Sequence, residues 1–298
     1  MHSGKAHLLA AALLFSTGGL VIKSIALTGW QVACLRAVIA GVVVAMLLPE
    51  SRRNWQLRLI GPAISYAAML ILFVISTKLT TAANAIFLQA TAPLYLVFLG
   101  PSLLKERTRR EDWLTLLVMG AGMTLFFLGE PSAQATAPRP VLGNFLAAAG
   151  GLAWALVLLS LRVWGRKHPT QNHGMQVVLA GNLLAAVLCA PFIFPLERAT
   201  PMDLGLVGYL GVFQVALAYL MMTKGMRQVP ALEASMILLV EPVLNPVWTW
   251  LVLGENPGWL AILGGALILS GTALRFRTKA PDSVEEEITE LEDLPEKQ

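Results

Sequence analysis

Ten apolar segments constrain this chain more than any other feature: 5–25, 30–49, 57–77, 81–103, 112–129, 142–163, 173–195, 203–224, 231–253 and 257–276. Each is close to the roughly 20 residues a helix needs to cross hydrocarbon. Within lipid the backbone must satisfy its own hydrogen bonds, and an α-helix does so inside one segment. Charge is correspondingly scarce, at 13% of residues against 56% hydrophobic, and the mean hydropathy is +0.66. A soluble domain carries about 25% charged residues. The expected fold class is therefore an all-α integral membrane protein with ten transmembrane helices.

The bases between the segments fall mostly on one side of such a bundle. If the N-terminus is cytoplasmic, the inner loops hold Lys5, Arg52, Arg53, Arg58, Lys105, Arg107, Arg109, Arg110, Arg162, Arg166, Lys167, Lys224, Arg227, Arg275, Arg277 and Lys279. The outer loops hold only Lys23, Lys78, Arg139 and Arg198. That bias predicts cytoplasmic N- and C-termini in a multi-pass protein of the cell inner membrane. It also turns the net charge of +4 into an orientation and headgroup signal; no nucleic-acid partner is expected. Residues 281–298 carry eight acids and one base, so 277–298 is expected to be a disordered cytoplasmic tail. Cys34 and Cys189 both lie inside spans and form no disulfide framework. The four histidines have no metal-ligand spacing, and no metal or cofactor is expected.

The chain repeats itself. TTAANAIFLQATAP leads to Pro93 and VPALEASMILLVEP to Pro242, and a glutamate follows each proline thirteen residues later, Glu106 and Glu255. The first segment aligns with the sixth, placing Phe15 on Trp154 and Lys23 on Arg162. This gives a first repeat over 1–129, a periplasmic linker over 130–141 and a second repeat over 142–276. Five helices per repeat is an odd number, so the halves are expected to insert with opposite orientation around a central cavity. Inverted repeats with interrupted helices are the architecture of secondary transporters, which bind substrate near the midplane.

Order, spacing and duplication together resemble the drug/metabolite transporter superfamily, in particular its EamA-type ten-helix transporters. The resemblance rests on an Ala-rich first helix, an Arg in the second, KLTTAANAIFLQATAPLYLVFLGPSLLKER, AYLMMTKGMRQVPA and LLVEPVLNPVWTWLVLGE, and covers residues 5 to 276. It implies a basket-like bundle that exports amino acids, other metabolites or drugs. A small-molecule substrate and the lipid bilayer are the expected partners. A monomer suffices, because both halves share one chain, and the small-residue faces permit a dimer. Neither HExxH, GxSxG nor a Walker loop is present, so no enzyme is expected. A channel or a non-transporting scaffold is the alternative, with an intramembrane enzyme behind both.

Glu241 is the sharpest site candidate. A carboxylate at the centre of a span costs roughly 2.5–3.5 kcal/mol on insertion scales. It is either structural, beside the Pro242 kink, or a coupling or substrate group, since burial favours the protonated form that proton exchange uses. Its counterpart in the first half is Ala92. Arg36 is the one base well inside a span and needs a counter-charge: Glu241, a substrate carboxylate or the interface reached by snorkelling. Asn245, Gln89, Asn84, Tyr95 and Trp248 are substrate-contact candidates, and Trp154, Tyr66, Gln214 and Tyr219 are cavity-wall candidates. Pro93, Pro242 and Pro246 are expected to kink their helices, freeing the carbonyls of Gln89 and Leu238. For any one polar residue, plain interhelical hydrogen bonding is the competing role.

Overall fold

A computed structural model describes residues 2–53, 55–104, 110–128, 135–167, 174–196, 199–226, 228–229 and 231–279. Glu106, the start of the 130–141 linker, His168, His173 and the tail beyond 279 lie outside the described residues. The helices are α1 His2–Ser16, α2 Gly18–Ser24, α3 Gly29–Leu47, α4 Ile60–Leu79, α5 Ala82–Gln89, α6 Ala92–Leu104 and α7 Arg110–Leu128. The later part of the chain adds α8 Pro140–Lys167, α9 Gly174–Cys189, α10 Pro201–Tyr209, α11 Ala218–Met226, α12 Ala231–Leu238, α13 Val240–Leu253 and α14 Trp259–Lys279. Among the described residues, 8 helical stretches are long and apolar enough to cross a membrane, and Trp113–Leu128 and Trp259–Leu274 are shorter apolar helices.

Local sequence explains where these helices start and stop. Thr28 begins α3 with a capping box, accepting from the Gln31 amide while the Gln31 side chain returns to the Thr28 amide. Thr200 and Asp203 do the same for α10, with Pro201 in its first turn. Gly254 ends α13 at φ 65, a left-handed cap that favours glycine.

Three spans are interrupted. α5 gives way to α6 at Ala90–Thr91, and α12 to α13 at Leu239. Both breaks come just before Pro93 and Pro242, where proline lacks an N–H and its ring crowds the carbonyl four residues back. Pro246 lies inside α13 without ending it. The third break, at Thr17 between α1 and α2, has no proline; Thr17 instead donates its hydroxyl to the Leu14 carbonyl at 2.7 Å. A fourth irregularity is the π-helical run Leu210–Leu217 joining α10 to α11.

Packing joins the two parts of the chain throughout. α4 lies along α8, α3 along α9, α1 along α11, and α7 along α14. α5 and α6 rest on α8, while α12, α13 and α1 pack together. Small residues permit the closest approaches, as expected where lipid supplies no hydrophobic drive between helices. At the α7–α14 crossing, a Cβ on Gly122 would stand 2.7 Å from the Gly264 carbonyl, and the reverse holds equally.

Candidate functional site

The two charges expected at mid-span do not pair. Arg36 on α3 is only 4% exposed, and its Nη1 donates to Gln214 Oε1 at 3.3 Å. Gln214 projects from the π-helical run, an irregularity often found at functional positions. Arg36 Nε has no hydrogen-bond partner among the described residues. Glu241, in the first turn of α13, makes no ion pair with Arg36 and is only half-buried. The expected Arg36–Glu241 pair is thus replaced by a weaker bond from Arg36 to an amide.

Tyr219 is within electrostatic reach of both Arg36 and Glu241. It belongs to an aromatic group whose other members are Phe15, meeting it edge-on at 5.1 Å, and Tyr66, at 5.8 Å. Tyr66 is clamped by Gly181, where a Cβ would stand 2.4 Å from its ring. The result is a cation, a carboxylate and π-faces set between interrupted helices. Such a group can hold a small molecule bearing both charges and an apolar part, since ring faces attract ammonium groups and guanidinium matches carboxylate.

The remaining candidates divide by exposure. Gln89, Tyr95, Trp154 and Trp248 are half-buried like Glu241 and Tyr219; Asn84, Tyr66 and Asn245 are buried like Arg36. Tyr95 donates to the Ala148 carbonyl at 3.0 Å, and Trp248 Nε1 to Ser16 Oγ at 3.0 Å. Asn84 donates to Asn144 Oδ1 at 3.0 Å, in a chain that includes Thr80. Asn84 therefore belongs to a different cluster from Arg36 and Glu241. Asn245 is 0% exposed, and neither amide atom has a partner among the described residues. It presses on Gly19, where a Cβ would come within 2.1 Å of its oxygen. Gly151 of α8 likewise abuts the first break, 2.8 Å from Leu88 O and 3.1 Å from Gln89 O for an added Cβ.

Sequence reasoning missed a second charge cluster at the far end of the bundle. Lys23, at the end of α2, meets Glu255, just past α13, at 3.1 Å, with side chains 2% and 1% exposed. Lys23 also donates to the carbonyls of Thr80 (2.8 Å) and Thr136, and Glu255 Oε1 accepts from the Ala82 amide at 2.6 Å. Burial pushes the Glu255 carboxyl above its usual range, and Lys23 and that amide oppose the rise. Around the pair, Lys78 donates to the Ile25 carbonyl, and the Ala26 amide donates to Asp203 at 2.7 Å. Lys23 and Lys78 are two of the four bases on the base-poor side of the chain. That scarcity was the available signal.

A multi-pass helical bundle with interrupted helices and a cation and a carboxylate at mid-span that do not pair with each other has the form of a membrane carrier. The EamA-like transporter family model matches residues 2–128 and again 141–277, and the chain belongs to that family. It is similar to the uncharacterized transporter YwfM of Bacillus subtilis, 26% identical over 88% of this chain and 90% of that one. An uncharacterized transporter of Archaeoglobus fulgidus is 23% identical over 93% and 97%. A probable terminal-alkyne amino-acid exporter of Streptantibioticus cattleyicolor is 28% identical over 41% of this chain and 43% of its own. A crystal structure aligns with a TM-score of 0.62 over 94% of this chain and 100% of that chain, at 21% identity, a likeness of fold alone.

Proposed function

We propose that the protein is a secondary transporter of the inner membrane that exports small amphiphilic metabolites, amino acids or their relatives, by alternating access. Its two halves are inverted five-helix repeats, its termini face the cytoplasm and it works as a monomer. The observation that carries the reading is that Arg36 and Glu241 do not pair with each other, while both lie within electrostatic reach of Tyr219 among interrupted helices. A buried cation is costly without a counter-charge, and a substrate carboxylate would supply one. Glu241 is then the group for a substrate ammonium or an exchanged proton.

The packing supports the repeat. Moving each span five places along the chain turns the α4–α8 contact into the contact of α1 with the α10–α11 span. The same shift returns α3–α9 and α7–α14 to themselves. The relative named as an amino-acid exporter supports the substrate class.

Counterflow in proteoliposomes tests the reading. Wild-type protein loaded with a metabolite panel is expected to exchange at least one zwitterion, and Arg36→Ala to exchange none. A wild type that conducts without counterflow would be a channel, and one that moves nothing across a broad panel would be a scaffold. Glu241→Gln is expected to lose the pH dependence of exchange; an unchanged profile would remove Glu241 from coupling.

A further inference from the structure

The Lys23–Glu255 cluster lies well away from the site. Glu255 follows Glu241 by fourteen residues, roughly 20 Å along a helix at 1.5 Å per residue. It does not touch the groups expected to hold substrate, yet it joins α2, the ends of α4 and α5, the segment before α8 and the end of α13 through two side chains. The Lys23 ammonium contacts Glu255, Thr80 O and Thr136 O. Glu255 Oε1 accepts from the Ala82 amide at the start of α5, and Oε2 faces the Lys23 ammonium at 3.1 Å as an ion pair with no hydrogen bond among the described residues.

The surroundings are built the same way. Thr80 donates to Asn144 Oδ1 at 2.7 Å, Asn144 Nδ2 donates to the Phe126 carbonyl at 3.1 Å, and the Arg139 amide donates to Leu79 O at 3.0 Å. Gly143 sits so close that a Cβ would stand 2.7 Å from the Thr80 amide. This end of the bundle is tied by directional bonds between the halves. In the site half, Glu241, Tyr219, Gln89 and Trp248 are half-buried, while Arg36, Tyr66 and Asn245 are buried.

We propose that the Lys23–Glu255 pair is the gate at this end of the transport path, a lock that holds the captured state shut and breaks when the path opens here. Physical reasoning favours a switch over a staple. A buried ion pair is often no more stabilising than apolar residues of the same volume, whereas removing one partner leaves a costly lone charge. A pair with those properties is bistable: strong when both partners meet, and released as a unit when water reaches them. An alternating-access carrier needs that behaviour at each end. The proposal rests on the transporter reading, and its first readout, thiol labelling, does not depend on transport.

Gln89→Cys, in a Cys34→Ala, Cys189→Ala background, places one reporter thiol beside the α5–α6 break. Its labelling rate by a membrane-impermeant maleimide is measured from the Lys23 side of oriented vesicles. Glu255→Gln and Lys23→Met should each raise that rate at least roughly tenfold, by promoting an open state that is a 0.1–10% minority in a typical two-state protein. The doubly apolar variant Lys23→Met, Glu255→Leu should label no faster than wild type and exchange substrate more slowly. Unchanged labelling in folded single variants overturns the gate. If the single variants do not fold, the double variant decides: closed and slow in exchange supports the gate, wild-type exchange overturns it. Faster labelling in a protein whose wild type moves no substrate would uphold a bistable lock and contradict the transporter reading.

Discussion

Two pairs of opposite charges lie between the second or first span and the ninth, and they are treated in opposite ways. At one end, Lys23 and Glu255 are buried together as an ion pair, with Lys23 also donating to the Thr80 carbonyl and Glu255 accepting from the Ala82 amide. At mid-span, Arg36 and Glu241 do not meet; Arg36 leans on an amide and leaves Nε without a partner among the described residues. A buried ion pair holds one conformation while its partners meet and lets it go when they part. Charge left unpaired in the middle of a bundle is kept only where something else completes it, because desolvation is not otherwise repaid. The difference assigns the first pair to conformation and the second to ligand.

The comparison breaks first at Arg36. Arg36→Ala should abolish counterflow while leaving a folded, monodisperse protein, since among the described residues its guanidinium makes a single long hydrogen bond, to Gln214; retained exchange would show that the guanidinium is structural. Arg36→Lys should recover little, because an ammonium lacks the planar fork that matches a carboxylate. Next comes Gly19→Val. The Asn245 oxygen would stand 2.1 Å from the added Cβ, so a thermal melt should show a loss of about 1–3 kcal/mol, the usual cost of overpacking. A neutral result would mean that α2 and α13 can separate freely.

Asn245→Leu sharpens the contrast from the other side. Both amide atoms are buried without partners among the described residues, and leaving such groups unsatisfied costs about 1–3 kcal/mol. The variant should melt higher and transport less, the signature of a polar group retained for function at the expense of stability. Equal transport would make Asn245 a packing residue. The smallest effect belongs to Trp248→Phe, which deletes the 3.0 Å bond to Ser16; it should cost about 0.5–1.5 kcal/mol and leave exchange measurable.

Much of the frame was readable from residues. Apolar length marked the spans, and Pro93 and Pro242 marked the two breaks, because a proline's missing N–H acts locally wherever it falls. The break at Thr17 and the π-helical run at Leu210–Leu217 left no such mark; the Gly18–Gly19 pair next to Thr17 is the nearest signal, and the π-run has none. Arg36 and Glu241 stood out because charge inside a span is rare. Their partners did not, since Arg36 and Gln214 are separated by 178 positions, and spacing along one helix cannot report a contact across the bundle. Lys23 read as a loop base for the same reason: Glu255, which buries it, lies at the other end of the sequence.

The most direct test of the account is ligand stabilisation of purified protein, measured by thermal shift across a panel of amino acids and related zwitterions, with wild type and Arg36→Ala side by side. The account predicts that at least one zwitterion raises the wild-type melting temperature, and that the shift disappears in Arg36→Ala although the unliganded variant still melts cooperatively. The same shift with and without the guanidinium would contradict it.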